Sequence, residues 1–208
     1  LRSAESWCGM PKLIERYLAS FDEIHTGTIR YTEAVMADKE LTLREKKEQI
    51  CDFLLDYLID AYLLGLHTCE DLLGFTTSPD LGSMRKAIEL RIEGKTFRDR
   101  VADHLIEARV DRMAMLAESE YHRVFNAAEM DAAKTYEKTT GKTVFKEWRT
   151  VGDDRVRDTH DYIEGVKIPL AELFHTFDGD AALQPGGFGD VENNAGCRCW
   201  LHLSTEKS

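Results

Sequence analysis

A chain of 208 residues, 43% hydrophobic and 31% charged, has the balance of an ordinary soluble globular protein. It is long enough for one substantial core, or for a helical region and a small second module. A formal net charge of −11 excludes a surface built to coat nucleic acid non-specifically, since phosphate binding needs Lys and Arg in excess. The basic residues Lys142, Lys146, Arg149, Arg155 and Arg157 fall close together, but Glu147, Asp153, Asp154 and Asp158 largely offset them.

Five cysteines, Cys8, Cys51, Cys69, Cys197 and Cys199, make an odd count with two inside helical patterns. That is not a secreted disulfide framework, and reduced thiols in a cytosolic assembly compartment are expected. Leu1-Arg2-Ser3 does not open a signal peptide, and Leu1 implies an earlier segment removed or left out. The longest apolar stretch, about 53–66, is broken by Asp56 and Asp60 and is too short to span a bilayer, so no membrane partner is expected.

In chain order, Pro11 to Phe21 reads as a short helix with Leu13, Ile14, Tyr17 and Leu18 on one side. Thr42-Leu43-Arg44-Glu45 has the form of a capping box, in which hydroxyl and carboxylate satisfy free amides at a helix start. The helix it opens is the clearest, because Ile50, Phe53, Leu54, Tyr57, Leu58 and Ala61 recur at three- and four-residue steps. Gly65 is expected to end or thin it, and Gly74 with Ser78-Pro79 to mark the loop after a further short helix. A block from about Ser83 to Tyr136, interrupted at Gly94, reads as two helices. The later one should pack its Ala- and Met-rich side on the Ile50–Leu58 helix, with Met113 and Met115 as core filler.

After Gly141 the period changes to two. Residues 143–149 read as a strand with Val144, Lys146 and Trp148 on one face, and Trp148 as the anchor of a small domain. Val166–Ile168, stopped by Pro169, and Cys199–Leu203 read as two more strands, and Leu183–Asn194 as a long surface loop. The expected architecture is α+β: a helical N-terminal region over 1–140, then a small mixed α/β domain over 141–208 with short strands and long loops.

The polar residues of that last part come in a telling order: Lys146 and Trp148, Asp153-x-Arg155-Val156-Arg157-x-x-His160, Gly165, Pro185-Gly186, and Asn194 leading to Cys197-Arg198-Cys199. Together they resemble the phage head morphogenesis family, the phage Mu F-like minor head proteins. The upstream runs Gly94-Lys95-Thr96-Phe97-x-Asp99-Arg100-Val101 and Ser119-Glu120-x-x-Arg123-x-x-Asn126 are similar to the helical segments that usually precede this signature. Two departures stand out. Ala195-Gly196 separates Asn194 from Cys197, and Ser119-Glu120 stands where members often carry Thr-Glu.

The resemblance implies a minor capsid protein of a tailed phage or prophage. Such a protein is carried in few copies and associates with the portal and other head proteins during assembly. DNA inside the head is a further partner. Its expected place is the virion, at the head interior or portal vertex, and the host cytoplasm during assembly. No catalytic residue and no obligatory cofactor is expected.

Two chemistries compete for the polar cluster. A Cys-x-Cys pair in an extended segment turns both sulfurs to one face, and with His160 it supplies three of the four ligands zinc favours. Asp153, Asp161 or water would be the fourth. Alternatively, Cys197 and Cys199 are small buried residues and His160 hydrogen-bonds a backbone carbonyl. The favoured reading is structural: Glu120, Arg157 and His160 cross-brace a loop-rich module, with Asn126, Asp153, Arg155 and Asn194 in the same network. The competing functions are a metal-dependent nuclease or toxin-like hydrolase centred on His160, Cys197 and Cys199, and an accessory DNA-binding protein.

Overall fold

A computed structural model describes residues 11–107 and 109–205. Cys8 and the opening Leu1-Arg2-Ser3 lie outside the described residues. The order of elements is α1 (Lys12–Ala37), α2 (Leu43–Leu73), α3 (Leu81–Ile88), α4 (Phe97–Ile106), α5 (Val110–Thr140), β1 (Phe145–Arg149), α6 (Asp158–Tyr162), β2 (Lys167–Pro169), β3 (Phe174–His175), β4 (Ala181–Ala182), α7 (Val191–Asn194) and β5 (Trp200–Ser204). The fold is α+β, helices first and short antiparallel strands last. No helix among the described residues is long and apolar enough to cross a membrane.

Helix α1 runs well past the expected Phe21. Its buried stripe is Ile14, Tyr17, Phe21, Ile24, Thr28, Thr32 and Val35, an unbroken helical spacing in which two threonines stand where apolar residues would be read. Helix α2 begins at the capping box: Thr42 accepts from the Glu45 amide, and the Glu45 carboxylate accepts from the Thr42 amide at 2.8 Å. It does not end at Gly65. That glycine marks the place where α5 comes closest, since a Cβ there would lie 3.1 Å from the Ala128 Cβ and well inside 3.0 Å of the Phe125 carbonyl oxygen. The helix ends at Gly74, which caps it in the left-handed region (φ 64°).

The block after Ser83 holds three helices rather than two. Asp80 caps α3, Thr96 and Asp99 form a second capping box for α4, and a further break at Glu107–Arg109 separates α4 from α5. Met113 is buried but Met115 is half exposed, so only the former fills the core. Helices α1, α2 and α5 form the main packed layer, with α3 and α4 against α2 and α5.

Strand β1 is the middle of the sheet β2-β1-β5, antiparallel to both neighbours. Its register pairs Phe145 with Pro169 on one side and with Ser204 on the other. Pro169 closes β2 rather than stopping it, which an edge strand tolerates because the missing N–H has no ladder to serve. Val144, Lys146 and Trp148 share the buried face. The β3–β4 hairpin was not expected, and the segment from Leu183 to Asn194 is not simply a surface loop: Phe188 and Asn193 are buried and its end forms α7. One apolar core runs without a break from Ile14 of α1 to Leu203 of β5, across the Gly141 cap between helices and sheet.

Candidate functional site

Three segments converge under the sheet. Trp148 descends from β1, His160 from α6, and Cys197 and Cys199 from the extended stretch leading into β5. The connection from α6 to β2 is tied to β1 by the Gly165 amide on the Trp148 carbonyl (2.9 Å) and the Trp148 amide on the Val166 carbonyl (3.1 Å). This anchors the chain that carries His160 next to Trp148. The His160 ring stacks on Phe188 at 5.3 Å and meets Trp148 edge-on at 5.4 Å. Its Nδ1 lies 3.6 Å from the Cys197 sulfur and 3.4 Å from the Cys199 sulfur. The three donor atoms all fall within 4.8 Å of one another, and none of the three residues is more than 3% exposed.

Burial pushes the Cys197 thiol up, but Cys199, His122 and His160 beside it more than reverse this and hold it well below its usual range. Cys199 is pushed up, by burial first and then by Cys197.

His122 of α5 is a member of this site that the sequence reading missed. Its Nδ1 is hydrogen-bonded to the Tyr17 hydroxyl of α1, and the Asn126 amide lies 3.4 Å from the same nitrogen while donating to the His122 carbonyl at 2.9 Å. The Pro185-Gly186 turn seats on this ring. A Cβ at Gly186 would lie 2.9 Å from His122 Cδ2, and the backbone there has φ 75°, so both the approach and the turn require glycine. Asn126 is thus tied to His122, not to the loops. The only sequence signal for His122 was its unnamed place inside Glu120-x-x-Arg123-x-x-Asn126.

The expected brace of Glu120 on Arg157 and His160 does not form. Glu120 is buried between two other arginines, accepting from Arg100 of α4 at 2.5 Å and from Arg123 at 2.7 Å, and Arg123 also donates to the Ala87 carbonyl of α3 at 2.6 Å. That cluster locks α3, α4 and α5 together. Arg157 instead donates to the Ala195 carbonyl, and Arg155 is exposed. Asp153 pairs with Arg198 at 2.6 Å, which outweighs the upward push of partial burial and holds its carboxyl below the usual range. Asp161 is exposed, so neither expected carboxylate joins His160 and the thiols.

Asn194 donates to the carbonyls of Phe188 (2.8 Å) and Asp190 (3.0 Å), and Asn193 bridges Thr159 to Asp180. Both asparagines therefore shape the loop that carries Phe188 over the His160 ring. Lys146, fully buried, donates to the Leu183 carbonyl at 2.6 Å, and burial lowers its ammonium to about 8. A separate groove of about 540 Å³ lies between α2, α3 and α4, where Leu55, Ile59, Leu81, Met84, Ile88 and Phe97 are rimmed by polar residues including Arg85, Glu89 and Arg98.

Residues 81–202 match the Phage Mu protein F like family. The match runs from α3 through β5, more than half the chain, and the chain belongs to that family as a phage head morphogenesis protein. No curated protein and no solved structure matches it.

Proposed function

We propose that this chain is a minor capsid protein that associates with the portal during head assembly and DNA packaging or delivery, and that it works without catalysis. The family match carries the reading, because it spans the helices α3 to α5 and runs on through the sheet into β5. The closed site supports the non-enzymatic part. His160 is 1% exposed and its Nδ1 faces two thiols, so it is not directed at a substrate or at water. In this reading portal contact uses the groove of α2, α3 and α4, where Leu81 is 76% and Ile59 is 39% exposed.

The test is assembly of heads with and without the tagged chain, followed by quantitative mass spectrometry and cross-linking. A few copies per head, cross-linked to portal subunits through α2 or α3, are expected. A chain absent from purified heads, or cross-linked only to the major shell, overturns the proposal.

A further inference from the structure

We propose that Cys197, Cys199, His160 and His122 hold a tetrahedral zinc ion that fastens the C-terminal sheet to helix α5. The distances carry it first. Zinc bonds of about 2.3 Å to sulfur and about 2.0–2.1 Å to nitrogen, at tetrahedral angles, put the two kinds of donor about 3.5–3.6 Å apart. The two sulfur–nitrogen separations at His160 are 3.6 and 3.4 Å. Two thiolates and imidazole nitrogen form a donor set suited to zinc.

The fourth ligand comes from α5. His122 is 1% exposed and lies beside Cys197. Its Nδ1 is committed to Tyr17, while its Nε2 is buried with no hydrogen-bond partner. An imidazole fixed by a hydroxyl on one nitrogen and bare on the other has the outer-shell support of a metal ligand. His122 stands outside the set of three whose donor atoms fall within 4.8 Å of one another, and it is the fourth donor proposed for the site. The indole N–H of Trp148 lies beside Cys199 and opposes the upward push of burial on that thiol.

Charge supports the same set. The two thiols give up two protons, and the resulting two negative charges balance the 2+ ion while both imidazoles stay neutral. A closed apolar site tolerates such a neutral centre far better than an unbalanced charge. The inference concerns what the cluster binds and stands independently of portal association.

The experiment is elemental analysis of the purified full chain, then titration of the metal-free protein with cobalt(II) as an optical stand-in. Expected are one zinc per chain and a cobalt spectrum of tetrahedral sulfur–nitrogen coordination. The Cys197→Ser/Cys199→Ser variant should lose both. His122→Ala should weaken cobalt binding by at least about 100-fold and shift its ligand-field bands, since losing even an outer-shell partner costs roughly 10–100-fold. Absence of metal from the wild-type chain overturns the proposal without recourse to any variant. Cobalt binding with affinity and spectrum untouched by His122→Ala overturns the four-ligand set. Circular dichroism of the metal-free variants separates lost coordination from lost fold.

Discussion

Glu129 is an acid buried in the middle of the helical layer, and its replacement should make the protein more stable in a pH-dependent way. The side chain is completely buried, and both carboxylate oxygens lack a hydrogen-bond partner. Burial pushes its carboxyl well above the usual range. The same charge would face Cys69 of α2 and Tyr17 of α1, both of which it pushes upward.

A raised acid favours the protonated folded state. Below the unfolded value of about 4.3 both states hold the proton, and no stability is lost. As pH rises above it the unfolded chain ionises first, and each further unit removes up to about 1.4 kcal/mol until the folded group also ionises. Glu129→Met keeps the volume and removes the titration. Urea unfolding at about pH 5 and about pH 6 should show the gap between variant and wild type widening by roughly 1 kcal/mol. Glu129→Gln should show the same pH dependence with a smaller absolute gain, because its buried amide remains unpaired. A gap that is identical at the two pH values would refute the placement of an unpaired carboxyl in this layer.

Three further outcomes follow from other contacts. Gly65→Ala should lower stability by about 2 kcal/mol, because the added Cβ meets the backbone oxygen of Phe125, which puts overpacking near the upper end of about 3 kcal/mol, against a helix-propensity gain of about 1 kcal/mol. Thermal unfolding reads this as a drop of about 2–8 °C, and an unchanged midpoint would contradict the close crossing of α2 and α5. Glu120→Ala should cost about 3–5 kcal/mol by leaving the Arg100 and Arg123 guanidinium groups without their anion; denaturant unfolding would expose the error if the loss were slight. Leu81→Glu, at an exposed first position of α3, should change stability by no more than about 0.5 kcal/mol. The same variant should lose co-sedimentation with portal rings, and retained binding would remove the groove from the proposed contact.

What could be read from the sequence was local. The start of α2 was legible because Thr42 and Glu45 satisfy each other's amides three residues apart. Alternation put Val144, Lys146 and Trp148 on one face of β1, and the structure buries that face, Lys146 included. The extent of α1 was hidden because Thr28 and Thr32 occupy the buried stripe without looking apolar. Gly65 misled because a helical glycine looks like a terminator, and only the crossing with α5 shows what it accommodates.

The site divided along the same line. Cys197, Cys199 and His160 were recognisable as donors from residue type and spacing. Of the two partners of Glu120, Arg123 stands within helical reach three residues along α5, but Arg100 comes from α4 and is set by the break between the helices, which sequence distance does not show. His122 was invisible for a similar reason. The turn that seats on its ring, at Pro185-Gly186, lies more than sixty residues along the chain.

The bond from Tyr17 to His122 reaches beyond the stretch that matches the family, into α1. A fragment begun at Gly141, or at the family boundary, would carry the thiols and His160 yet leave behind the hydroxyl that orients the α5 imidazole. The surroundings of the C-terminal sheet are therefore not a portable cassette: transplanted onto another helical region, the sheet would meet an α5 imidazole without the tyrosine that holds it here.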